Sequence, residues 1–152
     1  MSTIFVDTGA FYALADEGES THVLARATLE QLERAGYGLL TTTDVLDEIV
    51  TLVRYRLGHA AAAALGDRLL ASSWCRLIAV SDEIRSAAWE IFVKYDDQQF
   101  ALTDCTSFAT MRARHLNEAF TFDRVDFVAA GFRTIPETAG AARGRRRPRQ
   151  KT

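Results

Sequence analysis

The strongest constraint on this chain is an alternation. Short runs rich in apolar residues, TIFV (3–6), GLLTT (38–42), CRLIAV (75–80), EAFTF (118–122) and FRTI (132–135), are separated by stretches with helical periodicity. Such runs are strand-length, and several carry the β-branched residues that suit strands. Strands that alternate with helices form parallel sheets, because a parallel pair needs a long crossover and the crossover helix covers the sheet face. The expected fold is α/β: a three-layer α/β/α sandwich around a short-stranded, mostly parallel sheet.

The helical stretches follow from spacing and stop signals. Residues 8–15 read as a helix. Residues 21–35 place Ala25, Thr28, Leu29, Leu32 and Ala35 on one face, and Gly36 and Gly38 end them. Residues 43–57 carry the stripe Leu46, Ile49, Val50, Val53 and Leu57, stopped by Gly58. Residues 59–73 read as helix from their alanine content. Ser81 caps the next helix, with Asp82 and Glu83 at its dipole-favoured end and a stripe of Ile84, Ala87, Ala88, Ile91 and Phe92. Residues 102–115 and a short segment from Arg124 complete the set.

At 152 residues, 48% of them hydrophobic, the chain has the size and core of one domain. Its net charge of −2 hides a division. Residues 138–152 hold six basic residues and no acid, which leaves 12 basic against all 20 acidic residues in 1–137. The expected organisation is a folded domain over 1–137, at −8, and a basic, disordered tail over 138–152, at +6. No apolar run resembles a signal peptide or approaches the ~20 residues of a membrane span, so the expected location is cytoplasmic. Cys75 and Cys105 fit no zinc or redox spacing and read as free thiols.

In open parallel sheets, ligands sit beyond the carboxyl ends of the strands. Asp7 follows the first strand, and Asp123 follows TF of the fourth. Glu48 lies one turn into the helix after GLLTT, and Asp104 at the start of its helix. Four carboxylates from distant segments can therefore converge. Like charges so placed repel, and a hard cation, Mg²⁺ or Mn²⁺, is what makes such a cluster tolerable. That chemistry suits phosphodiester hydrolysis. Each acid also has a plainer reading. Asp7 and Asp123 can cap helices, Glu48 can be a solvated helix acid, and Asp126 is either an extra ligand or a surface acid. Asp44 reads as a helix-dipole partner and Asp47 as solvated. The joint placement carries the signal.

Other chemistries lack their residues. His22, His59 and His115 form no metal-binding pair, no GxGxxG, Walker or GxSxG motif is present, and DTGAF after the first strand is not the DxDxT of aspartyl-phosphate enzymes.

The blocks IFVDTGAFYALAD (4–16), TTTDVLDEIVTLV (41–53), ALTDCTSFATM (101–111) and EAFTFDRVDF (118–127) resemble, in order and spacing, those of the PIN-domain family, and most of all its VapC-type toxin ribonucleases. The resemblance spans roughly residues 3–135. It implies that Asp7 matches the first metal-binding acid, Glu48 the helical glutamate, Asp104 the third acid and Asp123 the fourth. Thr103 matches the Ser/Thr before the third acid, while Asp126 stands where members vary. It further implies a Mg²⁺-dependent endoribonuclease (Mn²⁺ being an alternative) that cleaves single-stranded or loop RNA with metal-activated water, a homodimer, and a small antitoxin partner. On this reading Asp7 and Asp104 ligate metal directly, Asp123 serves a second metal or a water ligand, and Glu48 handles the attacking water. Thr103 caps its helix and frees Asp104. The rivals are a non-catalytic nucleic-acid-binding module and a metal-dependent DNA nuclease. Most aromatics read as core, with Phe11 or Tyr12 as a candidate for stacking on a base.

Overall fold

The computed structural model describes residues 2–137. Among them, five strands and seven helices alternate: β1 (Thr3–Val6), α1 (Thr8–Ala15), α2 (His22–Arg34), β2 (Gly38–Thr42), α3 (Thr43–Leu57), α4 (His59–Leu70), β3 (Arg76–Ile78), α5 (Asp82–Lys94), α6 (Leu102–Ala113), β4 (Glu118–Phe120), α7 (Arg124–Ala129) and β5 (Arg133–Ile135). The strands form one sheet in the order β3-β2-β1-β4-β5, and every pairing is parallel. The expected α/β class is what the chain adopts. The expectations for residues 138–152 lie outside the described residues.

The chain runs β1 to β2 to β3 in one direction, then returns to β4 and β5 on the far side of β1. Right-handed crossovers then put α1–α4 and α5–α7 on opposite faces. The direction reverses between β1 and β4, and all carboxyl ends share one edge. That junction is the switch point, where an open α/β sheet leaves a crevice.

Several boundaries differ from expectation for local reasons. β3 stops at Ile78 because the N–H of Val80 leaves the ladder and donates to Thr43 Oγ1 at 3.1 Å. β4 stops at Phe120: the N–H of Asp123 donates to Thr121 Oγ1 at 2.9 Å, a hydroxyl turn that bends the chain off the sheet. Asp123 therefore sits three residues beyond β4, not directly at its end. α6 stops at Ala113, because His115 takes the left-handed conformation (φ 57°) and Leu116 N–H reaches back to Met111 O at 2.8 Å. This is a Schellman closure made without glycine. Gly58, at φ 99°, ends α3 as the sequence suggests.

The core lies on both sides of β1, whose Ile4, Phe5 and Val6 are fully buried. On one face α3 contributes Val45, Ile49 and Val53. On the other, Phe108 of α6 meets Phe100 and Phe127 edge-on at 5.0 Å and stacks on Phe132 at 5.7 Å. Asp104 lies one helical turn before Phe108, and Asp126 is adjacent to Phe127. The aromatic cluster therefore fixes how far apart those two acids stand.

Some expected core positions are not core. Ala35 and Leu57 fall at exposed helix ends, and Trp89 and Phe92 are exposed on α5, stacked on each other at 5.3 Å. Phe11 and Tyr12 are buried: Phe11 packs edge-on against Trp74, and Tyr12 bonds Asp16 beneath Arg56, so neither offers a face to a base. Cys75 and Cys105 are free and buried, as expected.

Candidate active site

β1 delivers Asp7 to the switch point. Its N–H donates to Phe120 O at 3.0 Å, which ties it to β4, and its carbonyl accepts from Ala10 and Phe11 to start α1. Asp7 occupies the N-cap position, yet its side chain makes no cap bond. Instead Asp7 Oδ2 accepts a 2.9 Å bond from Thr121 Oγ1. Thr121 is fully buried, and its one hydroxyl both donates to Asp7 and accepts from the Asp123 N–H. Two acids from distant segments are thereby held by a single side chain. The sequence reading missed Thr121; a Thr two residues before an Asp at a strand end is the available signal.

Asp104 stands in the first turn of α6, but the cap differs from expectation. The N-cap residue is Ala101, not Thr103, and Asp104 Oδ2 itself accepts the Ala101 N–H at 2.9 Å. Alanine has no acceptor, so the acid satisfies this otherwise orphaned donor. That bond uses one of the two carboxylate oxygens.

Asp123 caps α7, accepting from the Asp126 N–H at 3.4 Å. One turn on, Asp126 is buried, contrary to a surface reading. Asp104, Asp123 and Asp126 each bring a carboxylate oxygen within 4.8 Å of the others. Asp7 adjoins this triad through Thr121 and through its charge, which raises Asp104. Glu48 stands apart from the triad and is exposed, although its charge reaches Asp7. It lines an open groove of about 830 Å³ that runs along α3 past Leu52 and Tyr55 and reaches Thr103 of α6. Asp44, on the same groove, is neutralised by Arg85 through two bonds of 2.9 and 3.0 Å. Asp47 is exposed, as expected.

Electrostatics follow from crowding. Burial, then the Asp123 and Glu48 charges, push Asp7 up to about 7 despite the bonds from Thr121 and Thr8. Burial, then Asp7, Asp123 and Asp126, push Asp104 up to about 8, against the Ala101 bond. Carboxylates that resist ionisation beside further acids are the environment a bound cation relieves. The donors are all oxygens, which suits a hard divalent ion rather than zinc. Thr8 Oγ1, next to Asp7, is buried with no hydrogen-bond partner among the described residues, a further polar atom left over for a ligand or its water. The residues present therefore fit a divalent cation.

Similarity to known proteins agrees with this geometry. The PIN domain model matches residues 4–133. The 23S rRNA-specific endonuclease VapC20 of Mycobacterium tuberculosis is 38% identical over 130 residues, covering 85% of this chain and 95% of the relative. The crystal structure of that protein, described as a sarcin–ricin loop cleaving toxin, aligns with a TM-score of 0.76 at 35% identity over the same shares. VapBC2 of Rickettsia felis, bound to a DNA fragment from its promoter, aligns over 87% of this chain and 96% of its own at a TM-score of 0.67, and at 12% identity it speaks for the fold alone. With a parallel sheet of matching topology, acids gathered at its switch point and a family match across nearly the whole described body, the chain belongs to the PIN domain family.

Proposed function

We propose that this chain is a Mg²⁺-dependent endoribonuclease, the toxin of a toxin–antitoxin pair, hydrolysing phosphodiester bonds of RNA. The observation that carries the reading is the convergence of half-buried Asp104 and Asp123 with buried Asp126, beside Asp7, in a chain 38% identical to a protein named as a 23S rRNA-specific endonuclease. Mg²⁺ is the ion of choice for an all-oxygen site that leaves room for phosphate, and Mn²⁺ can replace it.

Asp7, Asp104 and Asp123 hold the cation, and Asp126 supplies a further carboxylate to the same cluster. A divalent ion held there would supply charge neutralisation at the scissile phosphate and a more acidic water. Thr121 fixes the orientation of Asp7 and shares one hydroxyl between Asp7 and the turn that carries Asp123. Glu48, on the groove that reaches Thr103 beside Asp104, orients the attacking water and takes its proton.

The substrate class is taken from the relative: a ribosomal RNA stem–loop is the first to test. A toxin implies an antitoxin that covers this site, and a ribosomal substrate implies a cytoplasmic protein. No helix among the described residues is long and apolar enough to cross a membrane. The exposed Trp89–Phe92 pair on α5 offers apolar surface for a homodimer.

Cleavage of a labelled ribosomal stem–loop in Mg²⁺ tests the proposal. EDTA, Asp7→Asn and Asp104→Asn should each abolish product. Near wild-type rates in either variant would sink the assignment. Equal cleavage of the all-deoxy analogue would make the protein a DNA nuclease, since RNA selectivity needs contact with the 2′-OH.

A further inference from the structure

The first turn of α1 holds a hydroxyl that no bond of the described fold uses. Thr8 is buried, and its Oγ1 has no hydrogen-bond partner among the described residues. A buried polar atom left unpaired costs free energy, whereas a valine of the same shape avoids that cost. Threonine at this position therefore implies a partner that is not part of the fold.

Two observations fix where that partner sits. The first is covalent. The Thr8 N–H donates to the Asp7 carboxylate. A threonine oxygen lies within about 3 to 4 Å of its own amide nitrogen in any rotamer, so the Thr8 hydroxyl is no more than about 7 Å from that carboxylate. The second is helical. β1 and β2 are parallel neighbours, so α1 and α3, which follow them, both start at the carboxyl edge and pack side by side. Tyr12 faces α3, since the Arg56 guanidinium lies 5.0 Å over its ring. Thr8 comes one turn before Tyr12 on the same side of α1. Glu48 comes two turns before Arg56, and both line one groove with Leu52 between them. An arginine that leans toward the N-terminus of its helix covers the extra turn. Thr8 and Glu48 therefore look into one gap at the carboxyl edge, with Asp7 beside it, and the Glu48 charge reaches Asp7.

We infer that the Thr8 hydroxyl is the second anchor of the attacking water, accepting one of its protons while Glu48 accepts the other. The inference rests on the ribonuclease reading above. Two acceptors leave a lone pair of the water oxygen aimed at phosphorus, and a nucleophile held at two points has less freedom to lose before attack. As the new P–O bond forms, the bond to the leaving oxygen breaks, and that oxygen departs with the bonding pair and takes a proton from solvent. The proton facing Glu48 passes to its carboxylate, and the proton facing Thr8 stays on the oxygen now bonded to phosphorus.

The test uses the full chain. Thr8→Val keeps the shape and removes the hydroxyl, while Thr8→Ser keeps the hydroxyl. On the labelled ribosomal stem–loop in Mg²⁺, Thr8→Val should lower kcat by about 10- to 100-fold with KM within about twofold of wild type, and Thr8→Ser should recover most of kcat. Mn²⁺ affinity of Thr8→Val, read by calorimetry, should stay within about twofold of wild type, unlike that of a partner of a metal ligand. In EDTA the Tm of Thr8→Val should equal or exceed the wild-type value, because no hydrogen bond of the fold is lost. Wild-type kcat in Thr8→Val overturns the inference. So does a lower Tm in EDTA, which would show that the fold itself uses the hydroxyl. An Mn²⁺ affinity weakened by about tenfold or more also overturns it and assigns Thr8 to the cation. A wild-type chain that leaves the RNA intact sinks the ribonuclease reading and the water role together, whereas wild-type cleavage matched by Thr8→Val sinks the water role alone.

Discussion

Replacing Asp104 with Asn should make the metal-free protein more stable while removing its activity. Asn keeps one oxygen in the position of the carboxylate, so it can still accept the Ala101 N–H that closes α6. What it loses is a charge that the fold disfavours. Asp104 is raised from 3.8 to about 8 by burial and by Asp7, Asp123 and Asp126. The folded state thus binds a proton over a range in which the unfolded chain has released it. The stability that Asp104 contributes is fully present below its unfolded value of 3.8 and is lost as pH rises toward 8. At ~1.4 kcal/mol per tenfold change in proton affinity, the full displacement would cost ~6 kcal/mol above pH 8. Asp7 shares the same repulsion, and Asp104 and Asp123 are only partly buried, so solvent screens their charges. A net gain of about 2 kcal/mol for the variant at pH 8 is the working figure after that screening.

Thermal unfolding in EDTA checks it. For a chain of this length, 2 kcal/mol corresponds to roughly 4–8 °C in Tm. The advantage of Asp104→Asn should shrink toward zero as pH approaches 4, where the wild-type carboxyl is protonated in the fold. Added Mg²⁺ should raise the wild-type Tm more at pH 8 than at pH 5 and do little for the variant. A wild-type Tm that is flat between pH 5 and 8 in EDTA would refute the reasoning, and so would a variant equally destabilised at both.

Thr121→Val removes the hydroxyl that serves both Asp7 and Asp123 while keeping the volume. It should weaken Mn²⁺ binding, read by calorimetry, by about 10- to 100-fold, as outer partners of metal ligands commonly do, with Thr121→Ser restoring most of it. Asp126→Asn should cut RNA cleavage severely if that acid faces the cation; full activity in this variant would return Asp126 to a purely structural place in α7. Phe108→Ala empties the centre of the aromatic cluster and should cost about 3–5 kcal/mol by urea unfolding. Less than about 1 kcal/mol would mean that α6 and α7 are held together by something else.

The sheet was legible because its strands are short, apolar and separated by helices with clear stops, a pattern that few architectures other than a parallel α/β sheet satisfy. The strand order and the switch point followed less directly, since alternation alone does not say on which side of β1 the chain returns. The approach of Asp7, Asp104 and Asp123 was legible for the same reason, because strand ends share an edge whatever the order, but Glu48, a turn into α3, stands apart from them. The interior of the site was not legible, and the reason is physical. Periodicity reports which face of an element is apolar, but Thr121 lies beyond β4, where a hydroxyl turn replaces the ladder and no period exists. Asp126 looked like a surface acid because one turn of a six-residue helix carries too little pattern to orient it. It is buried because Phe127 beside it locks into the Phe108 cluster and draws that turn inward. Asp104 was read as a ligand freed by a Thr103 cap, whereas it bonds the Ala101 N–H itself. The two duties are compatible, because a carboxylate has two oxygens and the helix N-terminus favours the charge that a cation also favours. Thus the residue that closes α6 is also one that burial and neighbouring acids hold against ionisation, and a cation bound beside it would tie the stability of the fold to occupancy of the site.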